Sequence, residues 1–405
     1  MCKRLAVVLV AVALLRVTPA FAQGDGGPDM ANVKIRMGPL MMNPTISVGN
    51  IGIDHNVFND PPGKNPKQDF TVTVTPLSDF WLHLGPTWVT ASLNEEINWY
   101  QKYASERTAN NTYKLGWIVP GSVMSFKINW VYNNVRERPG FEIDARVGRK
   151  EVTYSGSVEY HALSRSYIGV SGSRERTTFA GEAVFLDTNL DISLNRANTT
   201  AAVNLRHEFT PLTSVTFSAT RSMDRFEFSQ ERDSNATAAQ ASVTFQPAAL
   251  IKGGMTIGYT DFRPTAPDLP RFTGVTGTVG LTYVLLGSTR FAVDGSRGVD
   301  YSYDVNQPYY VRTGIGGSIA QQIFGPFDIE VRGRTEILAY RDREGAVVKV
   351  ADRSDHVNSY GVGVGFHMGK ALRLAFNVDK VNRDSKLDDR RYDNFKFGTA
   401  LSSTF

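Results

Sequence analysis

Apolar and polar residues alternate with a period of two along most of the chain. Near the carboxyl terminus, for example, Leu372, Leu374 and Phe376 alternate with Arg373 and Asn377. The same alternation occurs in the segments 71–75, 124–133, 152–160, 203–209, 240–245 and 327–337. Because residues two apart share one face of a β-strand, the pattern predicts strands that are apolar on one face and polar on the other. No helical spacing is comparably sustained, so the predicted fold class is all-β.

Turn signals divide these segments in a regular way. Short turns are predicted at 75–80, 119–122, 162–166, 210–214, 246–254, 285–288, 324–327 and 368–371. Longer charged loops are predicted at 136–150, 173–195 and 341–355. Short turns that alternate with long loops are typical of consecutive antiparallel hairpins. We predict about 18 strands, with 16 as the alternative, and both termini at the short-turn end.

Two environments could accept one apolar face per strand. A soluble sandwich would pack two apolar faces together, whereas a membrane barrel would turn them to lipid and keep the polar faces in a wet lumen. The segments reach roughly the 9–11 residues of a tilted membrane strand, and their polar faces carry charges of both signs. Aromatic residues near the segment ends suit an interfacial girdle; they are Phe80, Trp81, Trp99, Tyr100, Tyr301, Tyr303, Tyr309, Tyr310 and Phe405. We therefore predict a closed antiparallel transmembrane β-barrel, because lipid cannot satisfy the edge of an open sheet.

The last residues, NFKFGTALSSTF, fit a strand that closes such a barrel. Phe395, Phe397, Leu401 and Phe405 share one face of this strand. A terminal aromatic residue in this pattern resembles the carboxyl-terminal signature that the insertion machinery reads in bacterial outer-membrane barrels. We predict barrel closure and membrane insertion as the roles of these four residues.

The amino terminus predicts export. A short basic start and an apolar run up to Leu15 precede Ala20-Phe21-Ala22, which has the small-x-small pattern of a cleavage site. The predicted organisation is therefore a signal peptide at 1–22, a short periplasmic segment at 23–44 and a transmembrane barrel at 45–405.

Cysteine usage and charge exclude several classes of function. The single cysteine, Cys2, lies in the predicted signal peptide, so the mature chain offers no disulfide, thiol nucleophile or thiolate metal site. Removing Lys3, Arg4 and Arg16 leaves 41 of the 44 basic residues against 40 acidic ones, which gives no reason to expect a nucleic acid partner. No apolar stretch after residue 22 is long enough for a transmembrane helix.

The first hairpin carries a family resemblance. The residues that carry it are Gly38-Pro39, Pro44, Asp54, Asn56 and Thr75-Pro76. They resemble the start of the β-barrel porin 2 group of outer-membrane proteins, and the resemblance extends from Arg36 to Phe405. Members of that group are often associated with exopolysaccharide assembly. The resemblance thus implies a route for carbohydrate across the outer membrane, periplasmic polysaccharide-export components as partners, and no catalytic residues.

The sequence offers no motif for catalysis, metal or cofactor binding. Gly361, Gly363 and Gly365 superficially suggest a nucleotide loop, but they lie on a predicted strand and no Ser or Thr follows Lys370. We interpret them as a flat and spacious inward face. The histidines lack metal-ligand spacing, and no nucleophile elbow occurs. We predict no enzyme, no metal and no cofactor, with a rim site made of distant residues as the least favoured alternative.

Charged residues on the polar faces are the candidate functional residues. Those predicted to line the lumen are Lys127, Arg206, Glu208, Asp328, Glu330, Arg332, Arg334, Glu336, His367, Arg373 and Asp379. Opposed acidic and basic rows can order water and admit hydrophilic solute. The same residue types can instead pair across the lumen and brace or plug it, and the sequence leaves both alternatives open.

These features together predict a bacterial outer-membrane protein, with outer-membrane lipid and the barrel-insertion machinery as partners. The first functional hypothesis is a pore that passes hydrophilic solutes or carbohydrate polymer without a covalent step. The alternative is a plugged barrel with a structural or surface-contact role, and an outer-membrane enzyme is a third and less favoured hypothesis.

Overall fold

Alternating apolar and polar residues build one large antiparallel sheet that closes on itself. The computed structural model describes residues 33–246, 249–369 and 372–404. Phe405 and the predicted signal peptide lie outside the described residues. Within the described ranges, no helix has the length and apolar character needed to cross a membrane.

The described residues contain 21 strands, and all but three of them belong to the barrel. In chain order the strands are Ile35–Met37 (β1), Leu40–Asp54 (β2), Asp69–Leu84 (β3), Thr87–Tyr100 (β4), Thr108–Val119 (β5), Met124–Glu137 (β6), Val147–Leu163 (β7), Ser166–Phe179 (β8), Val184–Phe185 (β9), Thr188–Asn189 (β10), Arg196–Thr210 (β11), Thr213–Phe226 (β12), Ser234–Phe245 (β13), Ile251–Pro264 (β14), Phe272–Leu285 (β15), Thr289–Tyr301 (β16), Tyr309–Gln322 (β17), Phe327–Arg341 (β18), Ser354–Met368 (β19), Leu372–Asp384 (β20) and Tyr392–Thr404 (β21). The helical elements are Leu190–Leu194 (α1) and the 3-10 turns Pro62–Lys64, Ala104–Glu106, Gln230–Arg232 and Asp388–Arg390. The short strands β1, β9 and β10 are accessories to the 18-stranded barrel.

The ring closes between β21 and β2. Phe397 lies opposite Ile53 of β2, and Leu401 lies opposite Val48. The other edge of β21, from Tyr392 onward, pairs with β20. The prediction of a closed antiparallel barrel of 18 strands is therefore confirmed. Phe395, Phe397 and Leu401 lie on the closing strand, while their role in membrane insertion stays a prediction.

The amino-terminal end of the barrel differs in detail from the predicted boundary. Strand β2 begins at Leu40, and β1 pairs with its first residues around a turn at Gly38. Gly38 has a φ of +58°, a conformation that glycine adopts without a steric cost. The first barrel strand thus begins inside the segment 23–44.

Short turns join the strands at one end of the barrel and longer loops join them at the other, as the turn signals predict. One predicted turn is wrong, because residues 75–80 lie inside β3. Pro76 cannot donate a hydrogen bond, and the ladder between β3 and β4 is interrupted at Thr75 and Pro76 before it resumes in the same register at Leu77. The true turn lies at Gly85, whose φ is +58°.

The two faces of each strand differ in exposure. Exposed aliphatic side chains occur at alternate positions, as at Ile315 and Ile319 of β17 and at Val362 and Val364 of β19. Charged side chains at the intervening positions are largely covered, and Glu336 of β18 is 0 % exposed. In a closed membrane barrel the exposed apolar rows form the outside and the covered charged rows form the inside.

The predicted aromatic girdle is wrong for five tyrosines, one of which, Tyr301, packs against Phe226 inside the barrel. Trp99 is exposed on the outside of β4, as an interfacial residue should be, but Tyr100, Tyr303, Tyr309 and Tyr310 are buried. These tyrosines lie at the long-loop end, where loops and strand ends pack together. A tyrosine at the end of a strand can serve either environment, because it combines an apolar ring with a polar tip.

The hairpin of β16 and β17 bends into the barrel at the long-loop end. Pairing between β15 and β16 ends where Gly277 lies opposite Arg297, whereas β16 and β17 stay paired as far as Tyr301 and Tyr309. The ring of Tyr301 packs edge-on against Phe226 of β12, with ring centroids 4.8 Å apart. The tip of the hairpin therefore lies against the inner side of the neighbouring wall, which β12 to β15 form.

We call this tip, residues 299–311, the tucked hairpin. Its Tyr309 and Val311 are buried in one apolar cluster with Phe262 of β14 and Phe272 of β15. Phe262 and Phe272 stand on the inner faces of their strands, so the cluster fills part of the mouth. Burial of these side chains holds the hairpin inside the barrel.

Gly52 lies at the seam where β2 and β21 close the barrel. A Cβ atom there would collide with the carbonyl oxygen of Phe397 and lie 2.5 Å from the Cα atom of Gly398. Because these are backbone atoms, we expect Gly52→Ala to lower the free energy of unfolding by about 1–3 kcal/mol. Denaturant titration in detergent measures this loss. Gly49→Ala is the matched control, since a Cβ there meets nothing within 4 Å; an equal loss in both variants would contradict the explanation.

Candidate functional site: a loop across the barrel mouth

The loop between β6 and β7 crosses the mouth of the barrel, and we call residues 138–146 the crossing loop. The ring centre of Phe141 lies 5.8 Å from the guanidinium carbon of Arg312 on β17 and 5.8 Å from that of Arg334 on β18. Strand β17 follows β6 by nine places in the ring of 18, so these contacts reach the opposite wall. The crossing loop therefore narrows the mouth at the long-loop end.

Glu142 fixes the far end of the crossing loop. Its carboxylate accepts hydrogen bonds from the Ser302 hydroxyl at 2.6 Å and from the Tyr303 backbone N–H at 3.2 Å, both in the tucked hairpin. The residue is 1 % exposed. This burial raises the pKa of Glu142 above the ordinary value of 4.5, and the Ser302 hydrogen bond and nearby arginines oppose the shift.

Arg383 of β20 ties the crossing loop to the wall. Its guanidinium donates hydrogen bonds to the carbonyl oxygens of Phe141 at 2.8 Å and Glu142 at 3.2 Å, and to the Asp144 carboxylate at 3.1 Å. It also forms an ion pair with Asp355 of β19, and both side chains are fully buried. The planar fork of an arginine suits such multiple, divergent acceptors.

Asp355 is the acceptor shared by this buried cluster. Besides Arg383, it accepts hydrogen bonds from Arg353 Nε at 3.0 Å and from the Ser385 hydroxyl at 2.6 Å. The Arg353 guanidinium also stacks over the ring of Tyr340, at 4.1 Å from the ring centre. The loops after β18 and β20 are thereby joined to the contacts of the crossing loop.

The base of the crossing loop is held by two further arginines. Arg138 donates to the carbonyl oxygen of Val57, at 2.5 Å, in the loop after β2. Arg146 forms an ion pair with Glu106, at 2.5 Å, and donates to the Tyr100 hydroxyl. The crossing loop is thus attached at both its base and its far end.

The loop after β8, residues 180–195, packs over the crossing loop. Ile143 of the crossing loop is buried in one apolar cluster with Phe185 and Leu190. Phe185 also packs edge-to-face on Tyr303, with ring centroids 4.9 Å apart. Burial raises the pKa of Tyr303 to about 12. Apolar packing and buried polar bonds therefore act together to hold the crossing loop in place.

Along the wall, charged side chains pair over intervening glycines. Arg332 of β18 donates to both carboxylate oxygens of Asp379 on β20, at 2.6 and 2.8 Å, and so reaches over β19. Gly361 of β19 allows this contact, because a Cβ there would collide with the Asp379 carboxylate. The glycine row does not leave a spacious face, as the sequence suggested, because ion pairs occupy the space above it.

A second pair has the same arrangement. Arg373 of β20 donates to Asp328 of β18 at 2.5 and 2.8 Å, above Gly365 of β19. His367 lies 2.7 Å from the same carboxylate through its Nε2 atom. Asp328 thus joins two of the predicted lumen residues.

Arg334 of β18 lies at the centre of a third group. It forms ion pairs with Asp294 of β16 and with Glu336, at 2.6 Å for the latter. Gly316 of β17 lies between Arg334 and Asp294 in the ladders, and a Cβ there would lie 2.9 Å from the Asp294 carboxylate. The absence of a side chain on the intervening strand again makes room for the pair.

Arg206 of β11 forms a separate group on the other side of the barrel. It donates to Glu159 of β7 at 3.3 and 3.2 Å and to Glu208 at 2.6 Å. Its guanidinium lies 3.7 Å from the ring centre of Tyr167. Lys127 of β6 is buried within the electrostatic reach of Glu159.

The predicted lumen residues therefore fall into two sets. Those between residues 328 and 379 form neighbouring groups of ion pairs centred on β18 to β20, and Glu330 lies within the electrostatic reach of Arg373 in one of these groups. Lys127, Arg206 and Glu208 belong to the separate group. These pairs run along the wall rather than across the lumen. The roles of these residues as a channel lining and as a brace both stay predictions.

Sequence reasoning missed charged residues of both the wall and the mouth. Asp294 and Glu159 stand at polar positions of alternating strands and could have been found from the period of two. Glu142 and Arg383 could not, because their contacts join residues 241 apart in the chain. In the part of the chain that the structure describes, no three His, Cys, Asp or Glu side chains converge as metal ligands would.

The raised pKa of Glu142 predicts that the mouth of the barrel becomes more stable as the pH is lowered. When the folded pKa exceeds the unfolded value of 4.5, the folded protein holds an extra proton between the two values, so the free energy of unfolding falls as pH rises through that interval. We expect acidification from neutral pH toward 4.5 to quiet the fluctuations of a single-channel current. Glu142→Gln, which keeps an acceptor for Ser302, should remove this pH dependence; an unchanged dependence would show that another group titrates.

A closed barrel of 18 strands, apolar outside and ion-paired inside, with a loop that narrows its mouth, defines an outer-membrane β-barrel of the porin type. The chain belongs to the family described as Putative beta-barrel porin 2, which matches residues 28–403. The resemblance noted in the sequence is therefore confirmed.

Solved outer-membrane barrels are similar in fold at low sequence identity. Pseudomonas aeruginosa OccK2 (OpdF) is 10 % identical, with 90 % of this chain and 98 % of that chain covered and a TM-score of 0.47. A BenF-like porin from Pseudomonas fluorescens Pf-5 is 8 % identical, with 90 % and 99 % covered and a TM-score of 0.45. The FrpB iron transporter (F5-1 variant) from Neisseria meningitidis is 10 % identical, with 85 % and 63 % covered and a TM-score of 0.43. The comparison with curated proteins returned no match.

Proposed function

We propose that the protein is a pore through which small hydrophilic solutes cross the outer membrane by diffusion, without a covalent step. The observation that carries this proposal is the crossing loop, which narrows a barrel that would otherwise have the width of an aqueous channel. The loop is held by hydrogen bonds and ion pairs to β20, to the tucked hairpin and to the loop after β2. Such a constriction suits selection by solute size.

The charges of the wall support the same proposal. Because Arg332, Arg373 and Arg206 each have carboxylate partners, the wall is polar without a strong excess of either sign in these groups. A wall of this kind replaces the hydration of polar solutes without holding one ion tightly. We therefore propose that the pore passes a broad range of small polar solutes and does not select strongly for anions or cations.

Solute entry into liposomes tests this proposal. The refolded protein is reconstituted, and swelling is followed in sugars of increasing size from a monosaccharide to longer oligosaccharides. We expect the smallest sugars to enter and entry to stop above a size limit. Liposomes that contain heat-denatured protein are the control. Exclusion of even a monosaccharide would contradict the pore and favour the plugged barrel.

A carbohydrate polymer is the second candidate cargo. The observation that favours it is that a loop, rather than the strands, makes the constriction, so displacement of the loop would open an 18-stranded channel. Export of exopolysaccharide would then require periplasmic components that act at the short-turn end.

Single-channel recording of a variant with a shortened crossing loop tests this candidate. Added polysaccharide should block the current, and longer chains should block it more strongly. Absence of block would remove this candidate.

A further inference from the structure

Six exposed arginines stand on the outer surface of one side of the barrel. We call them the arginine belt, and they are Arg174 and Arg176 of β8, Arg221 and Arg225 of β12, Arg263 of β14 and Arg297 of β16. They occur on alternate strands of the ring, with β11, β13 and β15 between them. Neighbouring ridges of the belt are therefore about 10 Å apart, twice the spacing of paired strands.

The belt lies on the lipid-facing side of the wall. Arg174 shares its strand face with Ile168 and Val170, and Arg221 shares its face with Phe217; these apolar side chains are all at least half exposed. Residues two or four apart on a strand point to the same face. The arginines consequently continue the rows of side chains that contact lipid.

The lower arginines of the belt lie near the edge of the hydrocarbon. Arg174, Arg221 and Arg297 are each eight residues beyond the first residue of their strands at the short-turn end. A strand rises about 3.3 Å per residue, and a tilt of about 40° places these residues about 20 Å above that end. The apolar band of such barrels is about 25 Å tall, so the guanidinium groups reach the headgroups of the outer leaflet.

The lower arginines lack carboxylate partners within the described residues. Arg221 donates to the Thr237 hydroxyl at 2.9 Å, and Arg297 donates to the Val275 carbonyl at 3.1 Å and the Thr313 hydroxyl at 2.5 Å. None of these partners carries a charge. An uncompensated cation beside hydrocarbon is unfavourable unless an anion reaches it.

The upper arginines are partly neutralised. Arg263 pairs with Asp261 at 2.5 Å, and Arg271 of the following loop donates to the same carboxylate. Arg176 pairs with Glu227 at 3.0 Å, and Arg225 lies 3.8 Å from Asp233. The cationic excess of the belt therefore concentrates in its lower row.

Small side chains form the floor of the furrows, which are the grooves between neighbouring arginine-bearing strands. On β13 a shallow, open groove is bounded by Arg221 on one side and Arg263 on the other, and its floor includes Thr237 and Ala239. Tyr259 and Asp261 form part of the wall, and the Asp261 carboxylate is paired with Arg263 and Arg271. A furrow of this shape accepts a hydrocarbon chain, and its cationic rim accepts the phosphate at the head of that chain.

We propose that the arginine belt binds a phosphorylated glycolipid of the outer leaflet, with phosphates on the lower arginines and acyl chains in the furrows. Charge complementarity identifies this occupant, because a zwitterionic lipid would leave the lower row uncompensated. The site is on the outside of the wall and does not depend on whether the lumen conducts.

Native mass spectrometry of the detergent-purified, full-length protein tests the proposal, with bisphosphorylated lipid A as the probe. We expect Arg174→Gln combined with Arg221→Gln to weaken retention of lipid A by roughly thirtyfold, since each arginine near an anionic lipid surface contributes about 1 kcal/mol. Lipid A without its phosphates should bind the wild-type protein no better than it binds the double variant. Equal retention of lipid A by wild type and double variant would overturn the proposal.

Two controls give each outcome a meaning. Arg136→Gln combined with Lys150→Gln removes the same charge from exposed residues on β6 and β7 and should leave the retention of lipid A unchanged. An equal loss of retention in this variant would show that net charge alone causes the effect. Inorganic pyrophosphate should not displace the lipid, and displacement at millimolar concentration would indicate an ion site instead. The heat-dependent mobility shift on SDS gels verifies that each variant is folded.

Discussion

Shortening the crossing loop is expected to raise single-channel conductance by roughly two- to fivefold, because a constriction dominates the resistance of a wide pore. The variant replaces residues 139–145 with two glycines and so removes Phe141, Glu142 and Asp144 from the mouth. The strands on either side stay paired through the ladder between β6 and β7. Planar-bilayer recording of wild type and variant in the same salt measures the change.

The control for this experiment shortens a loop that does not cross the mouth. Residues 345–348 lie in the loop after β18, and Val347 is 92 % exposed. Their removal should leave the conductance unchanged. Equal conductance of the wild-type protein and the variant with the shortened crossing loop would mean that the crossing loop does not limit the current.

Replacement of Arg383 by leucine is expected to cost about 3–5 kcal/mol in the free energy of unfolding, the usual result of removing one partner of a buried ion pair. Asp355 and Asp144 would lose an ion-pair partner, and the carbonyl oxygens of Phe141 and Glu142 would lose their donor. We also expect the current of the variant to flicker, because the loop is released at its far end. Denaturant titration and single-channel recording measure the two effects.

Arg391 supplies the matched control for Arg383. It lies just before β21, its side chain is half exposed, and its ion pairs with Asp384 and Asp388 are exposed as well. Exposed pairs of this kind contribute little to stability, so Arg391→Leu should cost less than about 1 kcal/mol. Arg383→Lys should recover only part of the loss, since an ammonium lacks the planar fork. A similar cost for Arg383→Leu and Arg391→Leu would contradict the proposed role of the buried cluster.

The barrel could be predicted from the sequence because its determinants are local. Alternation such as that of Leu372, Leu374 and Phe376 fixes which face of each strand is apolar, and a closed sheet is the only arrangement that lipid permits. Turn signals locate most hairpin ends for the same reason. The exception is Pro76, where a residue that usually marks a turn interrupts one ladder without ending the strand.

The mouth could not be predicted because its determinants are distant. The segment 136–150 has the composition of an exposed loop, and nothing local indicates that Glu142 meets Ser302 across the barrel. Tyr309 and Tyr310 have the composition of an interfacial girdle, yet the bend of their hairpin buries them. Where a strand leaves the wall depends on where its ladder ends, which the alternation of residues does not encode.

The regularly spaced glycines of β19 are compatible either with open space inside the barrel or with ion pairs that pass over them. Their regular spacing suggested open space inside the barrel. In the structure, Gly361 and Gly365 give room to the pairs of Arg332 with Asp379 and of Asp328 with Arg373. The side chains on the two adjacent strands, β18 and β20, rather than the glycines themselves, decide whether the space is empty.

Cysteine accessibility along β18, measured during current flow, tests the central claim most directly. In a Cys2→Ser background, Val331→Cys and Arg332→Cys are compared during exposure to a charged, water-soluble thiol reagent. If the charged face lines the path of ions and the apolar face contacts lipid, the reagent will lower the current through Arg332→Cys and leave Val331→Cys unaffected. Modification of both positions, or of Val331→Cys alone, would contradict the assignment of the two faces.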